Sequence, residues 1–190
     1  MNHRPAHPGR RRGFTLIESM ATVVVIATLG SIASLLILGA VDGYSDATNS
    51  AQLHAELSIA LDRASRELRK VELDSGASGV APNVTSINIA GDDLQWTDSD
   101  SDDYRLVRAG SDLMLEVDGG GAAVLLGDVT AFSVQTYDQD NAALANPLSG
   151  AACDDIRRVA LDVTVQRNDA TERLRTKVFI RSTMAGAEGG

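Results

Sequence analysis

The chain is poor in several residue types, and each shortage removes a class of function. Cys153 is the only cysteine, so no disulfide can close within the chain. Of the three histidines, His3 and His7 fall in the first seven residues, and His54 stands alone in a helical stretch. No His, Cys and Ser constellation is available for a nucleophilic triad, and an enzyme is not expected. Aromatic residues make up 4% of the chain and are not interleaved with its basic residues, as base stacking on single-stranded nucleic acid would need. Proline is missing between Pro8 and Pro82, so nothing in that interval forces a helix to break. Between Arg12 and Asp42 the only charge is Glu18.

That last absence frames the most informative segment, Arg10-Arg11-Arg12-Gly13-Phe14-Thr15-Leu16-Ile17-Glu18. The apolar run from Phe14 to Val41 is 28 residues long. About 20 helical residues cross a bilayer core, so this run spans with length to spare. It is also too long for a secretory h-region, typically ~7–15 residues. Arg4, Arg10, Arg11 and Arg12 precede it without an acid, a bias that keeps residues 1–13 cytoplasmic and sends the bulk of the chain across the membrane. A plain membrane anchor would account for both length and basic flank. It leaves Gly13 against Phe14 unexplained, and also Glu18, since a carboxylate at membrane depth costs ~2.5–3.5 kcal/mol even on the lenient insertion scale.

A basic leader, Gly13, then Phe14-Thr15-Leu16-Ile17-Glu18 resembles the processing signal of type IV prepilins and type II secretion pseudopilins at every position. The resemblance implies that a membrane aspartyl peptidase cuts after Gly13 and N-methylates the new terminus, Phe14. Absence of a Cβ at Gly13 suits close approach of the peptidase to the backbone. Loss of Arg4, Arg10, Arg11 and Arg12 would take the formal net charge from −9 to −13. It further implies that Glu18 neutralises the Phe14 amine of a neighbouring subunit, because two buried charges are tolerable together and costly apart. Implied partners are the peptidase, other major and minor (pseudo)pilins and an inner-membrane assembly platform. The implied location is the bacterial inner membrane, single-pass with the head outside the cytoplasm, and then a pilus or pseudopilus. Major subunits usually carry a proline where Leu35 stands here, and the departure points to a minor subunit. Tyr104–Arg108, Asp128–Asp138 and the closing hairpin are similar in order to the minor subunits lettered J and W.

Beyond Val41 the pattern stays helical. Leu53, Leu57, Leu61, Ala64, Leu68 and Val71 recur at helical spacing, with Glu56, Arg63, Arg66, Glu67 and Lys70 on the reverse face and Asp62 placed to pair with Arg66. A single helix from Phe14 to Glu72 would be ~88 Å long. Residues 74–83 are loop chemistry, and the period then becomes two: Ile87 with Ile89; Leu113, Leu115 and Val117; Phe132 and Val134. Val159, Leu161, Val163 and Val165, then Leu174, Val178 and Ile180, alternate with polar residues around a turn at Asn168-Asp169-Ala170-Thr171. The expected class is α+β and pilin-like, a long helical spine packed against an antiparallel β-sheet head. The expected divisions are a removed leader (1–13), a membrane and assembly half of the spine (14–41), an amphipathic half (42–73), a β-rich head (74–184) and a tail (185–190).

Three further features invite chemistry. Asp98-Ser99-Asp100-Ser101-Asp102-Asp103 alternates carboxylates, and major pseudopilins of the resembled family bind calcium in their heads. The EF-hand pattern would need Gly at Asp103 and Glu at Ala109, so the expectation is a solvated acidic hairpin tip, with Asp98, Asp100 and Asp102 the residues to hold calcium if it binds. Cys153 reads as a small buried hydrophobe, or else as one half of an intermolecular bridge. Arg157, Arg158, Arg167, Arg173, Arg175, Lys177 and Arg181 concentrate basic charge in the last hairpin; the expectation is pairing with acidic neighbours in an assembly, and nucleic acid is not expected as a partner.

Overall fold

A computed structural model of the chain describes residues 15–77, 79–118 and 120–183. The expected leader and tail lie outside the described residues. The chain divides into two units, Met1–Ser45 and Asp46–Gly190, and one helix, α1 (Leu16–Leu68, 53 residues), contributes to both.

In the first unit every described side chain is exposed, Leu16 by 80%. The helix here is long and apolar enough to cross a membrane. Several of its hydroxyl groups bond back within the helix. Thr22 Oγ1 donates to the Glu18 and Ser19 carbonyls (3.0 and 2.9 Å), and Ser31 and Ser34 donate to the carbonyls of Ala27 and Gly30 (both 2.9 Å). Such back-bonding lets polar side chains sit in a segment without water to solvate them.

In the second unit, residues Leu53, Leu57, Ala60, Leu61, Ala64, Ser65 and Leu68 of α1 are buried, the stripe expected from the sequence with Ala60 and Ser65 added. Asp62 pairs with Arg66 at 3.2 Å, as expected. The helix stops at Leu68 rather than Glu72. Beyond Lys70 the backbone turns extended and bonds to the sheet region: Glu72 N–H donates to the Thr97 carbonyl (3.2 Å) and Asn83 N–H to the Glu72 carbonyl (2.9 Å). Val71 and Leu73 form bridges to Asp98 and Pro82. Val71 still reaches the core, as its helical spacing suggested, but from an extended backbone.

Among the described residues ten strands follow: β1 (Val84–Ile87), β2 (Asp93–Thr97), β3 (Asp103–Ala109), β4 (Asp112–Val117), β5 (Gly120–Leu126), β6 (Val129–Tyr137), β7 (Ala143–Leu144), β8 (Leu148–Ser149), β9 (Arg158–Arg167) and β10 (Ala170–Phe179). They form two sheets where the sequence suggested one, ordered β5-β4-β3-β2-β1-β8 and β10-β9-β6-β7, with every pairing antiparallel. Both sheets contribute their apolar faces to one core with the helix stripe: Leu94, Trp96, Leu106, Leu113 and Leu115 from the first, Phe132, Val134, Val159, Leu161, Val163, Val165 and Val178 from the second. Trp96 stacks on Tyr104 with ring centroids 5.5 Å apart. Gly91 joins the sheets, its carbonyl accepting the Val134 N–H at 2.5 Å. A Cβ on Gly91 would lie 3.1 Å from the Val134 carbonyl oxygen, and its φ of +70° suits glycine.

Two strand readings change. Ile89 does not share a strand with Ile87; it lies in the turn after β1 and is 80% exposed, because Asn88 N–H donates to the Asp93 carbonyl and the chain reverses there. The closing turn is only Asn168-Asp169, since Ala170 and Thr171 already pair with Arg167 and Gln166. Asn168 takes φ +54°, a conformation its short side chain tolerates.

Candidate functional site

The start of α1 holds the described part of the processing motif. Thr15 and Glu18 stand three residues apart and cap each other. The Thr15 backbone N–H and Oγ1 both donate to Glu18 Oε2 at 3.5 Å, and the Glu18 N–H donates to Thr15 Oγ1 at 3.4 Å. This is a capping box, in which a Thr hydroxyl and a Glu carboxylate satisfy amides that the first helical turn leaves unpaired. The carboxylate therefore turns back onto Thr15, in a segment with no cation among the described residues before His54 and Arg63. Gly13 and Phe14, the expected cleavage and methylation positions, lie outside the described residues. The Thr-x-x-Glu spacing gives Glu18 a local role beside the intermolecular one that the resemblance implies.

The acidic tip is exposed at Asp100 and Asp103, as expected, and departs from the expectation at Asp98. Asp98 is 1% exposed rather than solvated. Its Oδ1 accepts the N–H groups of Asp100 (2.9 Å) and Asp102 (3.2 Å), and its own N–H donates to the Asp102 carbonyl. Asp98 thus shapes the β2–β3 turn from inside. Among the described residues no group of three or more His, Cys, Asp or Glu side chains is gathered as a metal would require.

Electrostatic contacts tie α1 to the sheets of the second unit. Arg167, at the end of β9, grips Glu56 of α1 through both guanidinium Nη atoms (3.3 and 2.9 Å) and Asp128 through Nε (2.7 Å). The Arg167 bond, with a second from Gln52, holds the Glu56 carboxyl below its ordinary value. Glu56 is therefore part of the helix–sheet junction and not merely of a solvated reverse face. His54 sits 3.8 Å from Glu172, which also accepts a hydrogen bond from Ser50. On the outside of the six-stranded sheet Arg105 bridges Asp93 (2.7 Å) and Glu116 (3.3 Å).

Cys153 closes a 3₁₀ turn, Gly150–Cys153, and is 1% exposed. Burial first, and the Asp154 carboxylate second, push its thiol up to about 11. That environment suits the buried-hydrophobe reading and disfavours an intermolecular bridge, since the thiolate is the reactive form. Native protein at neutral pH should accordingly react with a maleimide roughly 100-fold more slowly than protein unfolded in denaturant. Equal rates in the two states would show the thiol to be accessible.

Part of the basic hairpin finds partners inside the chain. Arg173 makes a two-bond fork to Asp162 (2.8 and 2.6 Å), which lowers the Asp162 carboxyl. Arg157 donates to the carbonyls of Asp154 and Ile156. Strand register also sets Tyr137 of β6 beside these cations, and Phe179 stands among them on β10 itself. Tyr137 pairs with Arg158 and Phe179 with Arg158 from the other side, so all three share one row across β6, β9 and β10.

A long apolar N-terminal helix that begins with a Thr–Glu capping box, followed by a head of antiparallel sheets, defines a pilin-like architecture. Residues 8–41 match the family model for the prokaryotic N-terminal methylation motif. That match covers 34 of the 190 residues and supports a prepilin-type N-terminal segment, the kind that pilins and pseudopilins carry. No curated protein matches the chain in sequence.

Proposed function

We propose that this chain is a minor pilin or pseudopilin, a non-catalytic subunit that initiates or caps a type II secretion pseudopilus or a type IV pilus. In this reading it is cleaved after Gly13, methylated at Phe14, and held in the inner membrane with its head outside the cytoplasm. The observation that carries the reading is Glu18 in the first turn of α1, inside the methylation motif at residues 8–41, with no further charge along the helix until Asp42. Among the described residues the carboxylate has Thr15 as its hydrogen-bond partner; in a filament it would reach the Phe14 amine of the next subunit, which supports an assembling rather than a solitary role. Lack of a proline near Leu35 favours a minor subunit. A surface-fibre minor pilin with a binding or adhesive head is the second reading inside the class, and a membrane-anchored binding domain that never polymerises is the reading outside it.

Intact-mass measurement on membrane and sheared surface-filament fractions of the native host separates these. A mass beginning at methylated Phe14, found at trace level in sheared fibres, makes the chain a minor pilin. The same processed mass confined to membrane and periplasm makes it a secretion pseudopilin. An uncut chain starting at Met1 would sink the proposal in favour of an anchor.

A further inference from the structure

The outward face of the four-stranded sheet carries Arg158, Arg173, Arg175 and Lys177 around a single carboxylate, Asp162, which Arg173 already engages. Arg158, Arg175 and Lys177 have no carboxylate within 4.0 Å among the described residues. The chain has 26 acidic residues against 17 basic ones, so this shortage of acids is local. Uncharged groups hold the three cations in place instead. Arg175 Nη2 donates to the Tyr137 hydroxyl at 2.7 Å, Lys177 Nζ lies 4.5 Å from the Tyr137 ring centroid, and the Arg158 guanidinium lies 4.7 Å from that of Phe179. Arg158 also donates to Asn141 Oδ1 at 2.5 Å. Such contacts fix the positions of the cations without neutralising them.

We propose that this face docks an acidic segment of another protein chain, with carboxylates on alternate residues of an extended strand. Arg173, Arg175 and Lys177 alternate along β10, so their side chains recur about every 6.8 Å, the repeat of alternate residues in any extended strand. The Arg173–Asp162 fork shows that carboxylates fit this surface with good geometry. Single-stranded nucleic acid is the weaker occupant. Both rings already carry a cation on one face, which reduces the π-surface that bases stack on. The acidic surplus of the remaining chain also repels a long polyanion more than a short peptide. The inference does not depend on how the N-terminus is processed.

The test uses the full chain in detergent micelles and a fluorescent peptide of alternating Asp and Ser, with an Asn/Ser peptide and oligo(dT) as comparisons, read by anisotropy. Expected are binding of the Asp/Ser peptide, weakened by salt, no binding of the Asn/Ser peptide, and a loss of roughly tenfold or more in an Arg175→Gln, Lys177→Gln double variant. Arg66→Gln, on α1, should leave binding unchanged. Tyr137→Phe keeps the ring and removes only the hydroxyl that holds Arg175, and should weaken binding a few-fold; it carries the test if the double variant does not fold. Absence of peptide binding, or binding indifferent to both variants, overturns the proposal. Oligo(dT) binding more tightly than the peptide, and lost in the same variants, overturns it in favour of a nucleic-acid face.

Discussion

Glu18→Ala should be cleaved and methylated like the parent chain yet fall at least tenfold in incorporation into the filament or pseudopilus, while Glu18→Gln separates the two roles open to this carboxylate. The first role is local: in the capping box Glu18 accepts from the Thr15 amide and hydroxyl. Loss of such a cap costs ~0.5–2 kcal/mol and loosens only the first turn. Gln serves the same position in a capping box, so Glu18→Gln keeps the helix start. The second role is charge. If Glu18 meets the Phe14 amine of a neighbour away from water, removing one partner leaves the other buried alone, at ~3–5 kcal/mol. That larger figure corresponds to a loss of about two to three and a half powers of ten in an equilibrium. Quantitative immunoblots of assembled and membrane fractions, beside intact masses, read both outcomes. Incorporation failing equally in the Ala and Gln variants assigns Glu18 to charge pairing. Incorporation of Glu18→Gln at the parental level would leave capping as its whole role and remove the assembly argument.

Local pattern made some of this legible and non-local pairing hid the rest. The stripe Leu53, Leu57, Leu61, Ala64 and Leu68 was readable because a buried helix face repeats every three or four residues, and these residues are all buried. Strands β9 and β10 were readable because they alternate cleanly over ten residues each. Period alone does not say which strand lies beside which, so the division into two sheets stayed hidden. The same holds for the end of α1: residues 69–72 keep helix-forming composition, and it is bonding to Thr97 and Asn83, far along the chain, that draws them out. Asp98 reads as solvated within a run of aspartates, yet the turn needs an inward acceptor for two amides. Tyr137 is separated from the basic hairpin in sequence, and only the β6–β9 register sets it beside Arg158. Of the site itself, the processing motif is contiguous and was therefore fully legible as a pattern. The sheet face is assembled from three strands and was not.

Leu57→Ala should unfold the head at a temperature lower by roughly 10–20 °C, whereas Ile59→Ala, two residues away, should change it little. Both side chains belong to the same helix and have similar volume, so helix propensity and hydrophobicity do not separate them. Burial does: Leu57 is 0% exposed and Ile59 68%. Leu57 belongs to the core shared by α1 and both sheets, and truncating it leaves a cavity that rigid strands on either side cannot close. Large-to-small changes of this kind cost ~2–5 kcal/mol, against ~0.5 kcal/mol for an exposed position. Trp96 supplies a selective probe, being the only tryptophan and lying in that core stacked on Tyr104. Its fluorescence follows the head alone and is blind to the apolar first unit, which detergent can keep helical after the head has melted. Equal midpoints for the two variants would mean that the helix stripe contributes little to holding the sheets together. A large drop for Leu57→Ala alone makes residues 46–68 of α1 part of the head's own fold.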